Sequence, residues 1–118
     1  MGSLGIMSPG TGVYRDAHLT LDFQQQVAIL DSKPLSLTRK EYELLAQLVA
    51  FAGAIVPRAE LLMRVWGYGE GIRTRTLDVH NRHLRRKLGA SADGYIETIF
   101  GIGHRFQPYT HSRPFQPQ

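Results

Sequence analysis

"RTRTLDVHNRHLRRKLG", residues Arg73 to Gly89, decides how the rest of the chain is read. It holds five arginines and one lysine around His80 and His83, which stand three apart. Leu77, Leu84 and Leu88 recur at helical spacing. A wheel at about 100° per residue gathers them on one side, with Asn81 between them. The opposite side carries Arg75, Val79, Arg82, His83 and Arg86. The pattern predicts an amphipathic helix whose cations face away from the core. Two chemistries compete for that face: a metal held by the two histidines, or a polyanion held by the arginines.

The spacing weighs against metal. A zincin helix needs H-E-x-x-H, with histidines four apart and a glutamate between them. Here the spacing is three, no glutamate intervenes, and the neighbouring cations repel a divalent ion. Nothing in the sequence brings His18, His104 or His111 close enough to complete a ligand set. The chain has no cysteine, which removes disulfides, thiolate zinc sites and cysteine nucleophiles. No metal and no cofactor is expected.

Charge favours the polyanion. Of 14 basic and 10 acidic residues in 118, residues 73–88 hold six basic and one acidic. The remaining eight basic and nine acidic residues leave the rest of the chain at −1. Basic excess concentrated in one helix is the electrostatic footprint of nucleic-acid binding. The competing explanation is a solvated helix face that happens to be basic. Asn81, on the core side, is expected to hydrogen-bond a backbone group at the core edge; shifting the helix against its neighbours is the alternative role.

The surrounding sequence supplies a scaffold. The length and a hydrophobic content of 42% fit one domain with a modest core. Alternation in "HLTLDF", then "QVAILD" and "PLSL", predicts short antiparallel strands, and "VYRD" is a candidate for another. The period then changes. "LTRKEYELLAQLVAFAG" puts Leu44, Leu45, Leu48, Val49 and Ala52 on one helical stripe. Thr38 and Glu41 form a T-x-x-E capping box, Leu37 and Tyr42 a hydrophobic staple, and Gly53 a left-handed cap.

"AIVP" reads as a short strand or turn, and "RAELLMRVWG" as a second helix burying Leu61, Leu62, Val65 and Trp66. The glycine-rich loop "GYGEGIR" precedes the third helix, which Thr74 is expected to cap. Arg85, Arg86 and Lys87 suit that helix's negative end. "YIETIF" and "HRFQPY" flank "GIG" as a hairpin. Residues 1–12 read as a flexible arm without the features of a signal peptide, 13–108 as the domain, and 109–118 as a disordered tail. No apolar run approaches the ~20 residues of a membrane span, and a cytoplasmic location is expected.

Taken together, "LSLTRKEYELLAQLVAFAGAIVPRAELLMRVWGY", "RTRTLDVHNRHLRRKLG" and "IETIFGIGHRF" resemble the DNA-binding domain of OmpR/PhoB-type response regulators. The likeness runs from about Leu19 to Phe106. It rests on the combination of LT-x-x-E-[YF]-x-LL, LL-x-x-VWG, RT-x-DVH-x-x-x-LR-x-KL and a G-x-G hairpin.

The resemblance implies an α+β winged helix-turn-helix: an N-terminal antiparallel sheet, three helices and a C-terminal hairpin wing. It implies sequence-specific binding of double-stranded DNA, usually as a head-to-tail dimer on direct repeats. In that family a receiver domain precedes this one; its absence from these 118 residues implies an effector fragment or a stand-alone regulator. The resemblance assigns Arg75, Thr76, His80 and Arg82 to phosphate or groove contacts, and Val79, His83 and Arg86 to base reading. It assigns Thr98 to a phosphate and the indole of Trp66 to the DNA backbone or, equally, to the core. The loop with Tyr68, Glu70 and Arg73 matches the segment through which such activators touch RNA polymerase.

The sequence departs from the family pattern at four positions. His83 and Phe100 stand where arginine is frequent, the second being a minor-groove arginine for which Arg105 is the candidate substitute. His104 replaces a tyrosine, and Pro57 a serine cap. A winged helix used for protein–protein contact is the rival function; the basic third helix argues against it. An RNA binder would show solvent-facing aromatics on that helix. No nucleophile–base or carboxylate pair marks an enzyme.

Overall fold

The computed structural model describes residues 12–67 and 74–109. The expectations for the arm up to residue 11, for the loop with Tyr68, Glu70 and Arg73, and for the tail beyond Tyr109 lie outside the described residues.

Four strands open the chain: β1 (Val13–Arg15), β2 (Leu19–Asp22), β3 (Val27–Leu30) and β4 (Lys33–Pro34), paired antiparallel in sequence order. The alternation predicted for β2 is real: Leu19, Leu21 and Phe23 are buried on one side. "VYRD" does add a strand, since Tyr14 pairs with Leu21. "PLSL" does not form one. Asp31 and Ser32 both take positive φ, 51° and 70°, as a tight two-residue hairpin turn requires. The turn moves the strand forward to Lys33–Pro34, and Leu35 and Leu37 pack against the core from a loop.

Helix α1 (Arg39–Ala50) begins where the capping box places it. Glu41 N–H donates to Thr38 Oγ1 at 3.2 Å, and Thr38 N–H donates to Glu41 Oε1 at 3.0 Å. Leu37 and Tyr42 both join the core, as the staple requires. Gly53 has the expected positive φ, 88°, but lies two residues past the helix cap at Phe51. Its N–H donates instead to Phe106 O at 2.8 Å. Strand β5 (Ile55–Pro57) leads into α2 (Arg58–Trp66), whose cap residue Pro57 makes no side-chain bond. Thr74, expected as the cap of the third helix α3 (Thr74–Leu88), is its first helical residue.

The chain after Gly89 differs from expectation. A 3₁₀ turn (Gly89–Ser91) and a short helix α4 (Ala92–Tyr95) precede β6 (Ile96–Ile99) and β7 (Gly103–Phe106). Tyr95 therefore belongs to a helix, and Gln107 to Tyr109 lie beyond the strand. The hairpin is not two-stranded. β5 pairs with β7, giving the order β5-β7-β6. Gly103 permits that pairing, because a Cβ there would meet Val56 O at 2.1 Å. Among the described residues no helix is long and apolar enough to cross a membrane.

The layers meet at Phe106 and Asp16. Phe106 is fully buried, edge-on to Tyr14 and stacked on Tyr95, with ring centroids 5.4 and 5.5 Å away. Asp16 accepts from the hydroxyls of Tyr14 and Tyr95, both at 2.6 Å. It also accepts from the backbone N–H groups of His18, Leu19 and Tyr109. One carboxylate thus ties β1, β2, α4 and the residue after the wing together. Tyr109 packs edge-on against His18, although sequence reading assigns it to the tail.

Burial opposes ionisation of Asp16, but the tyrosine hydroxyls and the N–H groups of Leu19 and His18 outweigh it. They hold the carboxyl below its ordinary value. A depressed folded-state value stabilises the fold above the ordinary carboxylate range, and that stability is lost as pH falls through it. Asp16→Asn is expected to cost about 1–3 kcal/mol at neutral pH. It should also flatten the loss of stability towards acid. Urea unfolding at neutral and acid pH checks both.

Candidate nucleic-acid interface

Helix α3 divides into four stripes. Leu77, Leu84 and Leu88 are buried in the core. One flank, Asp78, Asn81 and Arg85, faces the wing sheet and α2. The other, Thr76, His80, His83 and Lys87, faces α1 and α2. Arg75, Arg82 and Arg86 remain, exposed and outward, with Val79 half-buried among them.

The α1 flank is fixed by Glu41, which is buried. Lys87 Nζ donates to Glu41 Oε1 at 2.7 Å and to Ser36 O at 2.8 Å. His83 Nδ1 lies 3.8 Å from Glu41 Oε2. Burial opposes the charge of Glu41, but the hydrogen bonds from Lys87 and Thr38 and the nearby positive charge outweigh it. Its carboxyl is held below the ordinary value. His83 thus leans towards α1 rather than standing among the arginines. His80 Nδ1 lies 2.9 Å from Thr76 O, and its ring meets Trp66 edge-on at 5.0 Å. Trp66 is half-buried against the core, with Lys40 Nζ 5.9 Å from its ring. The two histidines are thus held by different partners.

The wing flank is clamped as firmly. Arg58 Nη1 pairs with Asp78 Oδ1 at 2.8 Å, and that bond is the main reason the Asp78 carboxyl lies below its ordinary value. Arg85 donates to Ile96 O at 2.6 Å and pairs with Asp93. Between α3 and the wing lies a cleft of about 400 Å³ lined by Arg58, Asp78, Asn81, Thr98, Phe100 and His104, among others. Thr98 Oγ1 and His104 Nδ1 share a 3.1 Å hydrogen bond. Burial, with Arg58 adding, pushes the His104 imidazole down. Asn81 Oδ1 and His104 Nε2 are buried without a hydrogen-bond partner among the described residues. The bond from Asn81 to a backbone acceptor or donor at the core edge is thus missing at its oxygen.

Arg105, the candidate minor-groove cation, is engaged elsewhere. Its Nε and Nη2 donate to Glu97 Oε1 at 3.0 and 2.6 Å across the strand pair. Glu97 and Arg105 are one step from Thr98 and His104 in the β6–β7 register, so they occupy the opposite face of the sheet. The wing tip carries Phe100 instead, 95% exposed.

The basic excess that stood out in the sequence therefore separates by role. Arg85 and Lys87 hold the helix in place. Arg75, Arg82 and Arg86 make no hydrogen bond or ion pair among the described residues. Sequence reading missed Glu41, Arg58 and Asp78 as positioning residues. Only the capping-box spacing singled out Glu41, and it gave no hint of Lys87, 46 residues away.

The comparisons with known proteins agree with this geometry. The family model "Transcriptional regulatory protein, C terminal" matches residues 32–106. The chain belongs to the OmpR/PhoB-type response-regulator DNA-binding family. This is a family of transcription regulators, not of enzymes. The swarming motility regulation protein RssB of Serratia marcescens is 38% identical over 86 residues, 73% of this chain and 38% of that protein. The OmpR/PhoB homologue DrrB of Thermotoga maritima superposes with a TM-score of 0.74 at 28% identity, covering 81% of this chain and 44% of that one. The Klebsiella pneumoniae RstA DNA-binding domain, solved in complex with the RstA box, gives 0.73 at 27% identity, covering 82% and 98%. The chain thus spans about two fifths of the full-length relatives it matches, and nearly all of the isolated RstA domain.

A contrast between neighbouring cations tests the division of the OmpR/PhoB-type helix. Lys87→Met takes the ammonium from the buried Glu41 carboxylate and is expected to cost about 2–4 kcal/mol. Arg86→Met should stay within about 0.5 kcal/mol. Denaturant unfolding of both variants checks this; equal losses would refute it.

Proposed function

We propose that this domain binds double-stranded DNA sequence-specifically, as the transcription-controlling effector of a two-component response regulator in the cytoplasm. Helix α3 lies in the major groove, and the hairpin wing lies near the adjacent minor groove. The observation that carries this reading is the row of three exposed arginines without ion-pair partners among the described residues, on a helix clamped along both flanks. Arginine binds phosphate or pairs bidentately with guanine, and a fixed helix presents it without reorganisation. That the RstA domain was solved in complex with the RstA box supports binding to DNA.

Within that reading, Arg75, Thr76, His80 and Arg82 meet phosphates or the groove wall. Val79, His83 and Arg86 read bases, with Val79 suited to a thymine methyl. His83 works from the edge of the face, because it leans towards Glu41. Thr98 meets a phosphate at the wing base. Two copies pair head to tail on direct repeats, and the loop with Tyr68, Glu70 and Arg73 contacts RNA polymerase.

Binding to a pool of randomised duplexes, titrated with salt, tests the proposal. Affinity should fall steeply, each phosphate contact adding about 0.9 to the slope of log K against log salt. Arg82→Ala should weaken all duplexes alike and lower the slope by about one. His83→Ala should change the preferred base at one position, removing about 1–3 kcal/mol of discrimination. A flat salt response, or no enriched site, would favour the protein-interaction module.

A further inference from the structure

The wing tip is chemically unlike the helix beside it. The stretch Ile99–Gly103 has no charged or hydroxyl side chain. Phe100 is 95% exposed and Ile102 54%, whereas the other exposed large apolar residues among those described reach only 40%. A lone exposed apolar residue is ordinary on a protein surface. Two of them on a stiff projection next to an anion-binding face are a different case.

The projection is stiff for three reasons. Ile102 N–H donates to Ile99 O at 2.9 Å, and Gly101 has φ 79°, the pattern of a type II turn with Phe100 at its first corner. Arg58 N–H donates to Ile102 O at 3.1 Å, which bolts the turn to the start of α2. The Arg58 side chain in turn grips Asp78 on α3. Phe100 also lines the cleft shared with Asp78 and Asn81. The tip and the arginine face therefore move as one body.

We infer that Phe100, backed by Ile102, is an apolar wedge that enters the minor groove beside α3 and partly unstacks a base step. This rests on the proposed DNA binding. The partner is duplex DNA because the tip shares its cleft with Asp78 of α3, the helix that exposes Arg75, Arg82 and Arg86, and that acid, the only one between them in sequence, is paired with Arg58. With α3 filling the major groove, the tip meets the sugar walls and base steps of the neighbouring minor groove. It has no side-chain cation or donor for phosphate or base edges, so only apolar contact remains to it. Phenylalanine and isoleucine are among the side chains that wedge steps apart there and kink the duplex. The wing would accordingly select flexible pyrimidine–purine steps by their deformability rather than by hydrogen bonds.

The test compares the unaltered chain, Phe100→Ala and Phe100→Leu on the duplex the unaltered chain enriches, with 2-aminopurine at the step flanking the α3 contacts. The unaltered chain should raise 2-aminopurine fluorescence and bend the duplex in an energy-transfer assay. Phe100→Ala should lose both signals and about tenfold in affinity, with an unchanged salt slope. Phe100→Leu should restore most of each. Thermal melting should not separate the three, because the side chain touches little of the fold. If Phe100→Ala binds, bends and unstacks as the unaltered chain does, the wedge is overturned while DNA binding stands. That result would leave the tip for a protein partner. If the unaltered chain enriches no duplex, both readings fall.

Discussion

The buried charge of Glu41 is the constraint on which the rest of the molecule depends. Removing a carboxylate from water costs several kcal/mol unless a partner and hydrogen bonds compensate. Here the compensation comes from two directions: the Thr38 backbone within the capping box, and Lys87 from the far end of α3. Such pairs roughly break even in stability. What the pair gains is position, since it sets the rotation of α3 about its own axis. One residue of helix is about 100°. A roll of that size would carry Arg82 off the outward face and leave Lys87 unable to reach Glu41. The local signal that starts α1 is thus also the tertiary contact that aims α3.

The opposite flank repeats the logic with other chemistry. Arg58 begins α2, holds the wing turn through its N–H and holds α3 through its guanidinium. Arg85 reaches the first wing strand at Ile96 O. α3 therefore cannot tilt without breaking charged contacts on one side or the other. The three outward arginines inherit that rigidity at no cost to their own hydrogen-bonding capacity. A long side chain normally loses entropy when it is fixed for a ligand. Here the helix is fixed first and only the side chains remain to be ordered.

What was legible in the sequence follows from range. Period and capping are local, so β2, α1 and the leucine stripe of α3 were read at the correct residues. The cap of α1 lies two residues before the Gly53 that the sequence points to, because Gly53 answers to Phe106, not to the helix. The strand at "PLSL" was misplaced because two non-glycine residues, Asp31 and Ser32, adopt the positive φ of the turn. Nothing in a pattern of apolar residues announces that. "AIVP" is legible as a strand, but its place in the wing sheet is not, because Ile55 and Arg105 are partners 50 residues apart. The site was half legible. Five basic residues in one helix point to an anion, but only packing tells which of them are occupied. Lys87 and Arg85 read like Arg86 in sequence; Glu41 and Ile96 make them different.

The sequence departures acquire meaning from the same packing. His104 stands where its family often has tyrosine, and it is buried beside the cleft between α3 and the wing, with one ring nitrogen unpartnered among the described residues. Asn81 brings a second orphaned atom to the same boundary between α3 and the wing. Each unsatisfied group costs about 1–3 kcal/mol. That boundary is therefore the least optimised seam around α3, while the α1 side is saturated. The cost falls between the helix that carries the arginines and the hairpin that carries Phe100. A uniformly satisfied seam would be more stable. The Arg58–Asp78 pair and the bond from Arg85 to Ile96 O nevertheless hold α3 and the wing together across it.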